Sequence, residues 1–205
     1  LQNGVESHEL LGSVLGPSNI LPGAYWASAH VQTPGVISED VLSKISFGEI
    51  EVTESLRALD IRKIFRDAGI EADISTDPVQ VLWQKFVVHS SLAGVTSAAQ
   101  TRAGELLKFP DARKMFLDAI EEALAVGIAR GIDLSENLAQ ESLEWIDTLP
   151  DFQVSMHGDF EAGRVTELDA LSGAVIRLGK QIGVKTPVHS FFYSVLLPHK
   201  DGRAV

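Results

Sequence analysis

The chain has 205 residues, 45% of them hydrophobic and 22% charged, which is enough for one large domain or two small ones with an ample core. Its formal net charge of -11 leaves no extended basic stripe, which excludes nucleic acid and anionic membrane as expected partners. The absence of cysteine excludes disulfides, thiolate catalysis and cysteine-ligated metal sites, and with no signal peptide or membrane-length apolar run it predicts a cytoplasmic location.

The first region, residues 1–76, mixes helical and strand-like segments. Strands interleaved with helices indicate the later part of an α/β sheet domain. The hydrophobic patterns predict, in chain order, a helix over Ser7–Leu15, strands over Asn19–Ala27, Gly35–Ser38 and Lys44–Val52, a helix over Ser55–Ala68 closed by Gly69, and a strand over Ile70–Ile74.

The second region, residues 77–205, is predicted to be all helical, so the fold class is α+β overall. Asp77 and Pro78 form a helix start signal, as cap and first helical residue. The predicted helices are Val79–Ala99, Pro110–Arg130, one capped by Ser135 and ending near Leu149, one from Thr166 to Gly183, and a short one over Val188–Leu197. Thr166 and Asp169 have the spacing of a capping box.

The helix that begins at Thr166 carries a seam of apolar residues three and four positions apart. This spacing predicts a buried contact with partner helices inside a bundle rather than a coiled-coil dimer. The seam consists of Leu168, Leu171, Val175, Leu178 and Ile182.

Lys85 stands out on the first long helix because it departs from the polar side. At about 100° per residue, the polar stripe is formed by Gln80, Gln84 and Ser91. Lys85 instead lies beside Val81 and Leu92, with His89 one turn later. Such a lysine either extends its ammonium to solvent or is a desolvated group with a shifted pKa that does chemistry. The helix alone favours the first interpretation.

A second group of polar residues precedes a predicted helix N-terminus, where free N–H groups could hold an anionic small molecule. Ser155 and Asp159 share a face if their segment is helical, although local capping explains them equally well. Glu167 falls in the first turn of the next predicted helix, where a carboxylate also stabilises the helix dipole. His157 lies two residues from Ser155, too close in sequence for a hydrolase triad, and the six histidines lack metal-ligand spacing.

These motifs together resemble the C-terminal half of the ketopantoate reductases (2-dehydropantoate 2-reductases). The early part fits as well, and the resemblance extends over nearly the whole chain. It implies that residues 1–76 are the remnant of a Rossmann-type nucleotide-binding domain and that residues 77–205 are an all-α substrate and catalytic domain. The motifs are Leu1-Gln-Asn3-Gly4, Ser28-Ala-His-Val-x-x-Pro34-Gly35, Phe47-Gly48-Glu49, Trp83-Gln-Lys85-Phe, Ser155-Met-x-x-Asp159, Gly163-Arg-x-Thr-Glu167-Leu-Asp169, Gly173 and Gly183-Val-x-Thr-Pro187.

The resemblance implies an NADPH-dependent reduction of 2-dehydropantoate to pantoate, a step of pantothenate and coenzyme A biosynthesis. It implies that Lys85 is the general acid that protonates the ketone oxygen. Glu167 would hold Lys85 or a substrate hydroxyl and lie near the cofactor, and Asn3 would lie near the nicotinamide and the substrate. Ser155 would bind the substrate carboxylate, and Asp159 would line the same pocket.

Two departures from the family pattern concern the substrate. His89 and Ala93 occupy positions where the well-characterised enzymes have asparagines that hold cofactor and substrate. His89 is therefore expected to contact the substrate, and a related 2-oxo acid remains an alternative to 2-dehydropantoate. A second alternative, from another functional class, is a non-catalytic helical module that serves dimerisation.

The third departure is the absence of a Gly-x-Gly-x-x-Gly turn, which receives the pyrophosphate in this family. Because the sequence opens on Leu1 rather than methionine, we expect the chain to be part of a longer protein whose NADP-binding turn lies before it. The chain by itself is expected to bind NADPH poorly. An uncovered strand edge would favour pairing with another copy, so a homodimer is an expected assembly.

Overall fold

The computed structural model describes residues 1–52, 55–149 and 151–202. Contacts divide the chain into two compact units, Leu1–Leu82 and Trp83–Val205. This division falls within the long helix that begins at Pro78. The predicted domains, residues 1–76 and 77–205, stay a prediction.

The first unit contains a three-stranded mixed sheet in the order β1-β2-β3. β1 and β2 are antiparallel, whereas β2 and β3 are parallel, with Lys44 opposite Glu71. The elements are α1 (Ser7–Leu15), a 3₁₀ helix (Pro17–Asn19), β1 (Gly23–Thr33), β2 (Val36–Phe47), α2 (Leu56–Asp67) and β3 (Glu71–Ile74).

The strand predictions for this unit were wrong in extent. β1 and β2 form one long hairpin that turns at Pro34 and Gly35, where Gly35 has φ +85°. Each strand supplies the other's backbone hydrogen bonds, so the ladder continues through polar residues that break the apolar pattern. β2 ends at Phe47 rather than Val52, because the chain turns at Gly48, where a Cβ would lie 2.3 Å from the Ser75 carbonyl oxygen.

The core of this unit packs α2 against the sheet. Phe47 contacts Phe65 edge to face, with ring centroids 5.9 Å apart. The α2 helix begins as predicted, since the backbone N–H of Ala58 donates to Ser55 Oγ at 3.2 Å. The fully buried residues of this cluster are Ile45, Phe47, Ala58 and Ala72.

The second unit is helical throughout its described residues, and none of them after Pro78 forms a strand, as predicted. The elements are α3 (Pro78–Ala99), α4 (Ala103–Leu106), α5 (Pro110–Ala129), α6 (Leu138–Asp147), α7 (Ser155–Glu161), α8 (Ser172–Ile182), α9 (Pro187–Leu196) and a 3₁₀ helix (Leu197–His199). None of the described helices is long and apolar enough to cross a membrane.

Local signals set most of the helix ends. Asp77 Oδ1 accepts the backbone N–H of Gln80 at 2.8 Å, which caps α3 as predicted. The ends of α5 and α8 are followed by Gly131 and Gly183, with φ of +84° and +79°. A β-carbon would be strained in that conformation.

Two predicted helix starts were wrong. α8 begins at Ser172 rather than Thr166, because the Thr166 N–H and hydroxyl both donate to the Lys200 carbonyl oxygen, at 2.8 and 3.3 Å. α6 begins at Leu138, because Ser135 Oγ accepts the N–H of Asn137 and so forms a tight turn.

The apolar seam of α8 and the segment before it lies in the interior, as predicted. Its first four residues are at most 3% exposed, whereas Ile182 is 38% exposed. The α3 helix approaches α9 closely, since a Cβ on Gly94 would lie 2.3 Å from Phe192 Cδ2. The buried members of the seam are Leu168, Leu171, Val175 and Leu178.

Candidate active site

Lys85 lies in the middle of α3 and is half-buried. Its helix neighbours Trp83 and Phe86 are buried, with ring centroids 5.4 Å apart, so the helix is fixed in the interior on both sides of the lysine. Burial lowers the pKa of the Lys85 ammonium, and the Glu167 carboxylate partly offsets this by raising it. Lys85 therefore has the environment of a partly desolvated lysine that interacts with the negative charge of Glu167.

His89 follows Lys85 by one turn of α3. Burial, and then the positive charge of Lys85, lower its pKa to about 4, so its imidazole is neutral near pH 7. Its Nε2 is buried and makes no hydrogen bond within the part of the chain that the structure describes. Lys85, His89 and Glu167 form one electrostatically coupled group, the lysine cluster.

The polar stripe predicted for α3 is only partly present. Gln80 and Gln84 are half-buried, but Ser91 is completely buried. Its hydroxyl donates to the Val87 carbonyl oxygen at 2.8 Å, which satisfies the group inside the helix bundle. The stripe assignment for Ser91 was therefore wrong.

Glu167 lies in an irregular turn between α7 and α8, not in the first turn of a helix as predicted. Its carbonyl oxygen accepts the N–H groups of Ala170 and Leu171, both at 3.0 Å. Because α8 begins only at Ser172, the Glu167 carboxylate does not stabilise a helix N-terminus at its own position. Its side chain is half-buried and acts on Lys85 instead.

Ser155 and Asp159 lie one turn apart on α7, on a common face. Ser155 is exposed, and Asp159 Oδ1 accepts a hydrogen bond from Arg164 Nε at 2.7 Å. Arg164 is a site residue that no prediction included, although it stands next to Gly163 in the family motif. His157 is only 1% exposed, with Nε2 3.3 Å from Glu161 Oε1, and so points away from Ser155.

The turn that carries Glu167 is joined to the end of the chain. Tyr193 donates its hydroxyl to Asp169 Oδ1 at 2.6 Å, and Lys200 Nζ lies 3.6 Å from Asp169 Oδ2. The Tyr193 hydrogen bond, followed by the nearby cations, lowers the pKa of Asp169. No sequence motif points to Tyr193 or Lys200, because both contacts are long range.

The helix starts of the first unit do not fit the phosphates of a dinucleotide. Such a site needs free N–H groups and no competing carboxylate. Here Glu6 stands at the cap of α1, Glu49 accepts from Ser55 and Arg57 beside α2, and Asp77 caps α3. Asn3, the residue expected near a nicotinamide, is half-buried before α1 in this unit. Among the described residues, no group of three or more His, Asp or Glu side chains could hold a metal ion.

Residues 77–200 match the family model described as "Ketopantoate reductase PanE/ApbA C terminal", which is more than half of the chain. The chain belongs to the ketopantoate reductase family. The 2-dehydropantoate 2-reductase of Halobacterium salinarum is 24% identical over 203 residues, which are 98% of this chain and 67% of that protein. That of Mycobacterium tuberculosis is 27% identical over 205 residues, 98% of this chain and 66% of that protein.

Solved structures share the fold. The 2-dehydropantoate 2-reductase of Methylococcus capsulatus superposes with a TM-score of 0.87 at 20% identity, over 99% of this chain and 66% of that one. A D-mandelate dehydrogenase in complex with NADH superposes with a TM-score of 0.87 at 22% identity, over 98% of this chain and 68% of that one. A dimeric ketopantoate reductase from Staphylococcus aureus superposes with a TM-score of 0.77 at 17% identity, over 88% of this chain and 61% of that one. The predicted fold class, a partial sheet segment followed by a helical domain, is confirmed, and the chain spans about two thirds of the relatives' length.

Proposed function

We propose that the protein is a reductase of a 2-oxo acid, with 2-dehydropantoate as the first candidate substrate and NADPH as the electron donor. The observation that carries this proposal is the lysine cluster, in which a half-buried ammonium with a lowered pKa interacts with the Glu167 carboxylate. Membership of the family and relatives named 2-dehydropantoate 2-reductase support the same activity. Pantoate would then serve pantothenate and coenzyme A biosynthesis, and the expected location is the cytoplasm.

Lys85 is the proposed general acid. Reduction of a ketone builds negative charge on its oxygen, and a neighbouring ammonium both stabilises that charge and neutralises it by proton transfer. The lowered pKa of Lys85 makes the transfer easier, while Glu167 keeps enough of the amine protonated to act as a donor. The role of Glu167 is therefore electrostatic, and it can also accept a substrate hydroxyl.

The substrate carboxylate is proposed to bind at the exposed face of α7. The Ser155 hydroxyl is a suitable donor, and Asp159 lines the same face. Because the charge of Asp159 is compensated by Arg164 at 2.7 Å, this carboxylate does not leave an uncompensated negative charge beside an anionic substrate. His89, as a neutral imidazole, is proposed to contact the remainder of the substrate, and Asn3 the nicotinamide.

The test of the proposed acid is Lys85→Ala in the full-length protein. We expect kcat for 2-dehydropantoate to fall by roughly 10²–10⁴-fold, with an unchanged melting temperature. The matched control is Lys108→Ala, since Lys108 is exposed and pairs with Glu105 at 2.6 Å. Turnover that survives Lys85→Ala would show that Lys85 does not carry the chemistry, and would favour the alternative in which the helical region after Pro78 is a dimerisation module.

A second candidate substrate class is favoured by His89 and Ala93, which stand where the resemblance places asparagines. Ala93 is fully buried and offers no polar group, and His89 offers one neutral imidazole. A site with fewer donors suits a 2-oxo acid with fewer hydroxyl groups. Comparing kcat/KM for 2-dehydropantoate with those for unhydroxylated branched and aromatic 2-oxo acids decides between the two.

The chain by itself is proposed to bind NADPH weakly. The support is the lack of a Gly-x-Gly-x-x-Gly turn in the sequence and the carboxylates at the helix starts of the first unit. Titration of NADPH fluorescence with the purified chain is expected to show no saturation in the micromolar range. Saturable micromolar binding would contradict this.

The proposed assembly is a homodimer. The S. aureus relative described as dimeric supports it, as do the two outer strands of the described sheet, β1 and β3. Light scattering behind size-exclusion chromatography is expected to give about twice the chain mass, and a monomer at all concentrations would rule the dimer out.

A further inference from the structure

The turn of residues 163–171, which we name the glutamate turn, is held by contacts with a later segment, residues 193–202. Thr166 donates twice to the Lys200 carbonyl oxygen, at 2.8 and 3.3 Å. Gly202 lies so close to the turn that a Cβ on it would be 2.6 Å from the Gly163 carbonyl oxygen. The position of Glu167 is therefore set by residues more than thirty positions later, as well as by its neighbours.

A second set of contacts holds the turn through Asp169, two residues after Glu167. Its carboxylate accepts the Tyr193 hydroxyl at 2.6 Å and faces Lys200 Nζ at 3.6 Å, while its carbonyl oxygen accepts from Arg177 Nη2 at 2.9 Å. A single exposed ion pair contributes little. Here the short hydrogen bond from Tyr193 to the Asp169 carboxylate is combined with two cations, Lys200 and Arg177. These contacts form a network rather than an isolated ion pair.

Tyr193 lies on α9, and this helix also contacts α3, the helix that carries Lys85. Phe192, the residue before Tyr193, is fully buried, and its ring lies 2.3 Å from the position of a Cβ on Gly94 of α3. On its other side, the Tyr193 ring lies 3.1 Å from the position of a Cβ on Gly173. Thus α9 contacts the helix of Lys85 at Gly94, where there is no room for a Cβ, and the start of α8 at Gly173. Its contact with the glutamate turn is the hydrogen bond from Tyr193 to Asp169.

We propose that Tyr193 and Lys200 are positioning residues, which hold the glutamate turn so that the Glu167 carboxylate faces Lys85. The catalytic consequence of this arrangement rests on the proposed function, whereas the arrangement itself does not. Since the charge of Glu167 raises the pKa of Lys85, a looser turn would place the carboxylate farther away on average. Loss of the Tyr193 hydroxyl should therefore lower the pKa of Lys85 further.

The test is an NMR titration of the Lys85 amine in this chain, labelled with ¹³C and ¹⁵N lysine and assigned with Lys85→Arg. Glu167→Gln should lower the pKa of Lys85, and Tyr193→Phe should lower it by part of that amount. Lys200→Met should also lower the pKa of Lys85. Lys200→Arg keeps the positive charge and should leave the pKa of Lys85 at its wild-type value. The double variant Glu167→Gln/Tyr193→Phe should go no lower than Glu167→Gln alone, because both act through one carboxylate.

Ser194→Ala is the matched control, because it removes the next hydroxyl on α9, which donates to the Ser190 carbonyl oxygen at 2.7 Å, and it should leave the pKa of Lys85 unchanged. An unchanged pKa in Tyr193→Phe, or an equal drop in the Glu167→Gln background, would overturn the positioning role. These outcomes are separate from the activity test, because a full-turnover Lys85→Ala enzyme would refute the proposed function without altering the titration. If both proposals hold, Tyr193→Phe in the full-length enzyme lowers kcat and moves the basic limb of its pH profile to lower pH.

Discussion

The imidazole of His89 lies one helical turn beyond the ammonium of Lys85, and burial together with that charge holds its pKa at about 4. The charge of Lys85 disfavours the charged form of the imidazole. Because the imidazole is already neutral near pH 7, it adds no positive charge beside Lys85. Within the lysine cluster, Glu167 therefore acts on the charge of Lys85 and not on a second positive charge near pH 7.

Removal of the Lys85 charge should raise the pKa of His89. In Lys85→Met the burial of the imidazole remains but the repulsion from the ammonium is gone, so the pKa of His89 moves up from about 4 toward its ordinary value. A ¹H–¹⁵N titration of the imidazole nitrogens measures this. Lys114→Met, which removes an exposed cation paired with Asp118 on α5, is the control and should leave the pKa of His89 where it was.

Acid should destabilise the second unit through His189. Burial lowers the pKa of His189 to about 4, while its Nε2 contacts the Ala119 carbonyl oxygen at 3.0 Å. Between about pH 6.5 and 4 the unfolded chain binds a proton at this residue and the folded chain does not, so the free energy of unfolding falls as the pH falls through that window. The total loss is on the order of 3 kcal/mol.

Urea unfolding at a series of pH values measures that loss. His189→Gln should be less stable at pH 7 because it disturbs a fully buried group, yet its stability should depend less on pH between 6.5 and 4. A His189→Gln curve that runs parallel to the wild-type curve through the window would show that other groups cause the acid effect. His89→Gln tests in the same way the contribution of His89, whose pKa is also lowered to about 4.

The parts of the fold that follow from local chemistry could be predicted from the sequence. The bounds of α1 match the prediction, and α3 starts at Pro78 behind the Asp77 cap. What failed depended on partners far along the chain. Thr166 looks like a capping residue, but its hydroxyl and N–H meet the Lys200 carbonyl oxygen, thirty-four positions later. Ser91 looks exposed on a helical wheel, and it is buried because the bundle surrounds α3 on that side too.

The candidate site divides in the same way. Lys85 could be singled out from one helix, because a charge that departs from the polar stripe is visible in the sequence. Its facing charge, Glu167, was reached only through the resemblance to a family, since the turn that presents it has no periodic pattern. Arg164 and Tyr193 could not be found, because each acts through another residue, Asp159 and Asp169 respectively.

Gly94 should not tolerate a side chain, because α3 and α9 meet there. A Cβ at this position would lie 2.3 Å from Phe192 Cδ2, so Gly94→Ala forces the ring or a helix to move. Overpacking of this kind costs about 1–3 kcal/mol. Gly158→Ala is the matched control, because it also lies in a helix but the nearest atom to its Cβ would be 3.5 Å away. Chemical denaturation gives both values, and Phe192→Leu should recover part of the loss in Gly94→Ala but none in Gly158→Ala.

Glu49 should be essential to the stability of the first unit, because the residue is only 7% exposed and its carboxylate accepts several hydrogen bonds. It accepts hydrogen bonds from Arg57 Nε at 2.8 Å and Arg57 Nη2 at 2.5 Å, and from the hydroxyl of the α2 cap, Ser55. The Arg57 contact holds the pKa of Glu49 below its usual range, so this stabilisation is present at neutral pH and is lost as the pH falls through that lowered pKa.

Glu49→Gln keeps the shape of the side chain but removes the charge and one acceptor, and should cost about 1–3 kcal/mol at pH 7. Asp67→Asn, at the exposed Lys63 pair on the other end of α2, is the control and should cost less than about 0.5 kcal/mol. Hydrogen exchange of the α2 and β2 amides measures the effect within this unit. Because a protonated Glu49 resembles glutamine, wild type and Glu49→Gln should converge in stability at low pH. A constant difference at all pH values would mean that the contribution of Glu49 is packing and not charge.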